Sequence, residues 1–420
     1  MDILYIHHHS PYPVRSGMDK VTYNLIKALS TEHNVTLVYP FIDKSENEAE
    51  NKLIELCAKI VRVKLNYRNN SVLRSKLKKK WFFIKALVFG IPVHVSSYYH
   101  TEVMKALEGL TEDHNYDIIQ ASSIYTEKYL RFYKNKKITV LGPIDDVLAG
   151  PRSNLENTAG FINMFKAFVA FSARKKQETI FMKYCNFVSF ISDTDAGNVK
   201  KRLNKYSHKI FHCPVDSDAE IKDSVQQRII RAINVPEEFQ INNRLIFIGN
   251  FAAERIQIAY NYFTENILPL IEEKIPDVKF YAVGKNPPES IIKSAEKKAN
   301  IIITGEVSDE ELIDHMLKSA VFIAPSLTGA GIKTKTLHAM SLGKAIVATS
   351  KEIEGFREFN PEAIKVVDDP GSFAEAVLLL LTNPQERYKL GRSAYELYHN
   401  HYSKKALTPE ILALYSSFQN

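Results

Sequence analysis

The feature that most constrains this chain is a pattern that occurs twice, in which short apolar runs alternate with longer amphipathic stretches. In the first half, Ile3–Ile6, Val35–Tyr39, Ile60–Val63, Ile118–Ala121, Ile138–Leu141 and Phe187–Ile191 read as strands. Lys20–Ser30 reads as a helix, with Val21, Leu25, Ile26 and Leu29 at helical spacing. Strands alternating with helices predict a parallel sheet covered on both faces. The pattern breaks around Phe211–Asp216, and a polar, charge-mixed stretch runs to about Asn243. A second alternation follows. Leu245–Ile248, Val278–Val283, Ile301–Thr304, Val321–Ala324 and Ala345–Ala348 read as strands, and Ala259–Lys274, Asp309–Ser319 and Thr334–Ser341 as helices. Ser372–Leu381, Pro384–Tyr402 and Pro409–Phe418 read as closing helices. At 420 residues the chain is too long for one ordinary core and comfortable for two. The expectation is an α/β protein of two doubly wound domains, residues 1–215 and 216–400, with a helix in 401–420 packing back towards the first. Sheets of this kind bind ligands beyond the carboxyl ends of their strands, which points to a cleft between the domains.

Composition narrows the class. Hydrophobic residues make up 45% and charged residues 25%, which argues against wholesale disorder. The cysteines Cys57, Cys185 and Cys213 are odd in number, scattered and without metal spacing, so they read as reduced thiols in a reducing compartment. Met1–His7 lacks the basic start and long apolar run of a signal peptide. The most apolar segment, Trp81–Val93, is interrupted by Lys85, Gly90 and Pro92, well short of the roughly 20 residues that span a bilayer. A cytoplasmic location is expected. The net charge of +7 is uneven: Arg68–Lys85 carries seven basic residues, no acidic one, and Trp81, Phe82 and Phe83. Such a segment suits an anionic membrane surface, at the inner membrane face, or equally a solvated helix whose aromatics point into the core. No nucleic-acid motif accompanies it.

The chemistry concentrates in Pro325–Met340. A strand ends in Pro325-Ser326, a loop carries Gly329 and Gly331, and a helix opens with Lys333 and Lys335 in its first turn. Glycines admit close backbone approach, and a helix N-terminus offers free N–H groups and partial positive charge. Two lysines there oppose the helix dipole, a small cost that makes sense if an anion such as a diphosphate binds. The plain alternative is an ordinary turn with solvated lysines.

Residues 245–355 resemble the donor-binding domain of retaining GT-B glycosyltransferases of group 1, also called GT4. The matching pieces are Ile248-Gly249-Asn250, Ile267–Ile271, Pro276-Asp277-Val278, Val283-Gly284-Lys285, Ile303-Thr304-Gly305, Gly329–Lys344 and Glu354-Gly355-Phe356. The first half matches more loosely, through Ile3–Ile6, Pro11-Tyr12-Pro13, Ser16-Gly17, Asn24–Leu29, His33–Val38, Ile191-Ser192 with Asp195, and Pro214-Val215-Asp216. The resemblance implies a two-domain GT-B fold and transfer of a hexose from a UDP- or GDP-sugar with retained anomeric configuration. No metal and no cofactor would be needed, the nucleotide-sugar being substrate. It places Ser16, Gly17, Asn250, Arg255, Gly284, Glu306, Val307, Gly329, Gly331 and His338 around the donor. Lys333 and Lys335, with Arg255, would stabilise charge on the leaving diphosphate.

The sequence departs from the family where two glutamates eight residues apart are usual: Ala330 and His338 stand there. A neutral imidazole at 338 can still hydrogen-bond a ribose hydroxyl. His338 lies three residues after Lys335, on the same helix face. Outside this segment, His7-His8-His9 follow the first strand, and alternation buries one and exposes two. Asp145-Asp146 follow the strand Ile138–Leu141, as an acceptor-orienting base at Asp145 or as loop caps. Asp193-Thr194-Asp195 resembles a metal-binding pair, but with Ser192 it reads as a helix cap. Arg174 and Glu178 share a helix with Phe165, Phe168 and Phe171, expected to be core on one side. The reading is a metal-independent glycosyltransferase of surface polysaccharide or lipid-linked glycan synthesis. Arg68–Lys85 and Phe161–Lys176 are its candidate contacts with a membrane that carries the acceptor. The alternatives are a catalytically inactive GT-B scaffold that binds nucleotide-sugar and, less favoured, a nucleotide-sugar epimerase.

Overall fold

The structure is a computed structural model describing residues 1–42, 51–65, 98–157, 160–214, 227, 229–230, 243–328 and 332–419. The basic run Arg68–Lys85 and the loop residues Gly329, Ala330 and Gly331 lie outside these. The chain divides into two compact units, Met1–Asp216 with Leu407–Asn420, and Ser217–Ala406.

The first unit follows the predicted alternation: β1 (Asp2–Ile6), α1 (Gly17–Leu29), β2 (Asn34–Phe41), α2 (Asn51–Ile54), β3 (Lys59–Lys64), α3 (Thr101–Asp113), β4 (Ile118–Ala121), α4 (Glu127–Leu130), β5 (Ile138–Ile144), α5 (Ala149–Asn157), α6 (Phe161–Tyr184), β6 (Phe187–Phe190), α7 (Asp193–Arg202) and β7 (Ile210–His212). Its seven strands are parallel, in the order β3-β2-β1-β4-β5-β6-β7. Side chains alternate between the faces of the sheet. Ile3 and Tyr5 of β1 join one buried cluster while Leu4 and Ile6 join the other, as a doubly wound sheet requires.

The second unit runs β8 (Arg244–Ile248), α8 (Glu254–Tyr262), α9 (Leu268–Lys274), β9 (Lys279–Val283), α10 (Glu289–Glu296), β10 (Ile301–Gly305), α11 (Asp309–Leu317), β11 (Val321–Ala324), α12 (Thr334–Ser341), β12 (Ala345–Ala348), α13 (Ser350–Ile353), β13 (Lys365–Val366), α14 (Pro370–Thr382) and α15 (Pro384–His401). Its six parallel strands lie in the order β10-β9-β8-β11-β12-β13. Val321 and Ile323 of β11 face one cluster, Phe322 and Ala324 the other.

The last helix, α16 (Lys404–Ser417), places Leu407, Ile411 and Tyr415 in the cluster that holds β1, and Phe418 follows them. The Tyr415 hydroxyl donates to Gln120 Oε1 at 2.6 Å, and Phe418 stacks on Phe187 at 4.3 Å between centroids.

Two helices differ from expectation, each because of a proline. The stretch read as one helix over 259–274 contains a π-turn at Phe263–Ile267 between α8 and α9. Pro269 has no N–H to give, and the Leu268 N–H reaches back to the Phe263 carbonyl. Pro409, which the sequence pattern puts at the start of the last helix, lies inside α16. Ser192 caps α7 as read, accepting from the Asp195 N–H at 3.4 Å. All three cysteines are free and buried. Among the described residues no helix is long and apolar enough to cross a membrane.

Candidate functional site

In the second unit, β8 and β11 are neighbours, and the chain departs from them towards opposite edges of the sheet. That reversal opens the crevice in which doubly wound sheets hold ligands. The expected phosphate-binding residues flank it. Beyond β8, Arg255 stands exposed in the first turn of α8. Beyond β11, Lys333 occupies the N-cap of α12, and Lys335 lies in its first turn. No side chain caps α12, and its first turn holds no acidic residue, so the dipole there is uncompensated by the helix itself.

Both lysines are half-buried. Burial pushes the Lys335 ammonium down to about 8, and the Arg255 charge adds to the shift while Glu352 opposes it. Lys333 is lowered by burial too, with Glu352 and Glu354 pulling upward and Lys351 and Arg255 downward. The Arg255 charge thus acts on both lysines, and an anion held among the three would relieve that repulsion.

Glu352 was missed in the sequence. It follows β12, on α13, and is buried. It accepts from the Ser326 hydroxyl and, at 2.5 Å, from the Thr336 hydroxyl. Thr349 donates to the Ser326 carbonyl at 2.5 Å. The carboxylate thus ties the loop after β11 to the first turn of α12 and supplies the counter-charge beneath the lysines. Its two hydroxyl partners are 26 and 16 residues away in sequence, one in the loop after β11 and one on α12, and no local motif marks them.

The remaining donor-side residues lie along the same carboxyl edge. Asn250 Oδ1 accepts from the Ala252 N–H and the Asn286 amide, each at 3.2 Å, and so shapes the turn after β8. Gly284, after β9, has φ +145° and lies so close to the turn after β8 that a Cβ would meet the Gly249 carbonyl oxygen at 1.8 Å. Glu306 is exposed beyond β10 and pairs with Lys285 at 3.9 Å, while Val307 packs on the core. His338 sits half-buried one turn along α12, and its carbonyl accepts from Ser341 at 2.8 Å.

In the first unit the corresponding reversal lies between β1 and β4. Of the three histidines after β1, His7 is buried and His8 and His9 are partly exposed, as alternation suggested. Sequence reading passed over their partners. His7 Nδ1 lies 2.6 Å from Ser122 Oγ, beyond β4, and Nε2 lies 3.4 Å from Asp19 Oδ1. His9 Nε2 lies 2.7 Å from the same oxygen. Burial raises the Asp19 carboxyl, but hydrogen bonds from His7 and His9 outweigh it and hold the group well below the usual carboxylate range. An ionised Asp19 only accepts, so His7 donates from Nε2 and receives the Ser122 hydroxyl at Nδ1. Burial lowers His7 and pushes His8 down to about 3. Among the described residues, His7, His8 and His9 are the group whose ligand atoms, within 4.8 Å of one another, come close enough to take a metal ion. Ser16 caps α1 by accepting from the Asp19 N–H at 3.2 Å, and Gly17 opens the helix with nothing within 4 Å of a built Cβ.

The paired aspartates separate. Asp145 is exposed beyond β5. Asp146 is buried and takes a fork from Arg202, 2.8 Å from Nη2 to Oδ1 and 3.0 Å from Nη1 to Oδ2. The same guanidinium bonds Glu178 at 2.6 Å. Asp146 and Glu178 are therefore occupied by structure.

With this geometry in hand, comparison with known proteins is specific. Residues 242–383, which hold Arg255, Lys333, Lys335 and Glu352, match the family model "Glycosyl transferases group 1". Two curated relatives are each 26% identical: an uncharacterized 44.6 kDa protein in the cps region of Klebsiella pneumoniae, over 42% of this chain and 47% of its own, and a phosphatidyl-myo-inositol mannosyltransferase of Mycolicibacterium smegmatis, over 41% and 45%. The chain spans about half the length of the curated relatives it matches. Among solved structures, a sucrose-phosphate synthase from Thermosynechococcus elongatus superposes with a TM-score of 0.67 at 15% identity, over 99% of this chain and 98% of that one. TarM gives 0.68 at 14%, over 100% and 99%. HepE of Anabaena, in complex with UDP-glucose, gives 0.60 at 12%, over 99% and 100%. The chain has the two-domain GT-B fold. The matched segment 242–383 falls in its second unit, and the cations gathered at the β8–β11 reversal lie inside it.

Proposed function

We propose that this protein is a retaining, metal-independent glycosyltransferase that moves a hexose from a UDP- or GDP-sugar to a glycan or lipid-linked acceptor in surface polysaccharide synthesis. The observation that carries the proposal is the convergence of Lys333, Lys335 and Arg255 at the β8–β11 reversal. As the bond from sugar to phosphate lengthens, negative charge builds on the departing diphosphate. Fixed cations beside it, partly withdrawn from water, lower that barrier without a metal. His338 offers a hydrogen bond to a ribose hydroxyl, and Asp145 is the first unit's candidate for orienting an acceptor hydroxyl. Gly329 and Gly331 belong to the same reading, as the loop towards the sugar. The similar proteins point the same way: HepE is in complex with UDP-glucose, a TarM variant of S. aureus with UDP and alpha-GlcNAc-glycerol, and one relative is a mannosyltransferase. The cps-region relative supports a polysaccharide setting. A peripheral position on the inner membrane face, with Arg68–Lys85 as one contact, brings the enzyme to a lipid-carried acceptor.

Transfer or hydrolysis is measured across a panel of nucleotide-sugars. Turnover of a UDP- or GDP-hexose supports the proposal, and retention is read from the anomeric configuration of the product. The second reading, a nucleotide-sugar-binding scaffold without catalysis, is favoured by His338 and Ala330 standing where the family carries glutamates. Binding of nucleoside diphosphate with no turnover of any donor selects it.

A further inference from the structure

Only the second half of α6 belongs to the core. Val169, Ala173, Gln177, Phe181 and Met182 are buried. The helix is core on one side, as expected, but Phe165 and Phe168 lie on its open side: Phe161 is 81% exposed, Ile162 69%, Met164 47%, Phe165 47% and Phe168 56%. Five of the 17 large hydrophobic residues exposed among the described residues therefore fall within one eight-residue segment. Phe161, Phe165 and Phe168 recur at i, i+4 and i+7, so they form one stripe, with Met164 beside it. On another side the segment borders a cavity of about 440 Å³ lined by Pro151, Asn154, Asn163, Lys166, Ala167 and Ala170, so its own chain does not back it solidly. Contiguous exposed apolar surface of this kind marks a contact with something else.

The charge on the helix says what. From Phe161 to Gln177 there is no acidic residue, and Lys166, Arg174, Lys175 and Lys176 are basic. Lys166, Lys175 and Lys176 are exposed. The N-cap, Gly160, makes no side-chain capping bond and the first turn has no acid, so the helix start adds partial positive charge. A second copy of this face would set cations against cations, and a neutral apolar partner would leave them unmatched. An anionic lipid surface satisfies both parts, with phenylalanines below the headgroups and lysine stems reaching back to them.

We propose that the Phe161–Lys176 half of α6 docks the protein onto an anionic membrane by inserting its aromatic stripe at the headgroup boundary. This deepens the peripheral location argued above and rests on it.

The test uses the full chain and vesicles of phosphatidylcholine with or without phosphatidylglycerol. Arg68–Lys85 can itself attract anionic lipid, so a positional readout decides. The chain has one tryptophan, Trp81. In a Trp81→Phe, Phe165→Trp protein, the introduced indole should shift to shorter wavelength on phosphatidylglycerol vesicles and be quenched by lipids brominated on their acyl chains. Phe161→Ser with Phe165→Ser should weaken vesicle binding about tenfold or more, with an unchanged melting temperature. An indole that stays unquenched, or a double variant that binds as the parent does, overturns the proposal. A double variant that loses only self-association in sedimentation assigns the face to a second copy and equally overturns it. Donor hydrolysis without vesicles, measured on the same variants, reports separately on the glycosyl-transfer reading.

Discussion

The Thr336 hydroxyl donates to Glu352 Oε1 across 2.5 Å, tying the first turn of α12 to the helix that follows the adjacent strand. Glu352→Ala leaves the Ser326 and Thr336 hydroxyls without their acceptor. The second unit should lose on the order of 2–4 kcal/mol, read from the urea midpoint at neutral pH. A midpoint equal to that of the parent would show that these bonds are replaced by water.

Lys333→Ala and Lys335→Ala should each weaken UDP or GDP binding about 10- to 100-fold, the range of a charge-assisted hydrogen bond, and slow transfer in parallel. Titration calorimetry gives the affinity, and a melting curve checks the fold. Unchanged affinity in both variants would place the diphosphate elsewhere.

The pH dependence follows from Lys335, whose folded value of about 8 lies below its ordinary 10.5. The unfolded chain holds the proton more tightly between these values, so this group makes stability rise with pH across that window. Ligand binding runs the other way. The diphosphate prefers the charged ammonium, so affinity should fall as pH rises above about 8, by up to tenfold per unit. Binding there should also take up a proton, which calorimetry detects in buffers of different ionisation enthalpy. Lys335→Arg keeps its charge and should flatten the decline.

The glycines after β9 and at the start of α1 should behave oppositely. At Gly284 an added methyl meets the Gly249 carbonyl at 1.8 Å, in a backbone region that side chains avoid. Gly284→Ala should cost about 3 kcal/mol or more, or abolish soluble expression. Gly17 has nothing within 4 Å, and Gly17→Ala should fold normally.

Asp145 and Asp146 separate by assay. Asp146→Ala strands the Arg202 guanidinium and should destabilise by roughly 2–4 kcal/mol. Asp145→Asn should leave the melting curve alone and lower turnover. A stable Asp146→Ala would show that Glu178 alone satisfies Arg202.

The sheets were legible because a parallel strand buried on both faces is a short apolar run wherever it occurs, and Val321–Ala324 and Ala345–Ala348 match their predicted limits. Lys333 and Lys335 were legible because a helix start is a local signal. Glu352, Asp19 and Ser122 were not. Glu352 and Ser122 act through neighbours that sheet order supplies, as when β4 sets Ser122 against His7, and Asp19 meets His7 and His9 through the fold-back of α1. Asp145 and Asp146 look equivalent in sequence, and the fork from Arg202, on α7, tells them apart. The apolar residues of α6 showed helical spacing, but spacing does not say whether the chain or another surface covers them.

The helix α16 has a consequence for the order in which the protein is made. Leu407, Ile411, Tyr415 and Phe418 complete the core around β1, and Tyr415 bonds the buried Gln120. Strand β1, synthesised well before α16, therefore waits for residues near position 418 before its unit is sealed. The second unit, Ser217–Ala406, is synthesised in the interval and can fold as a contiguous piece. Until α16 arrives, the side chains it will cover stay open to solvent, so the first unit is the one exposed to chaperones and proteases during translation.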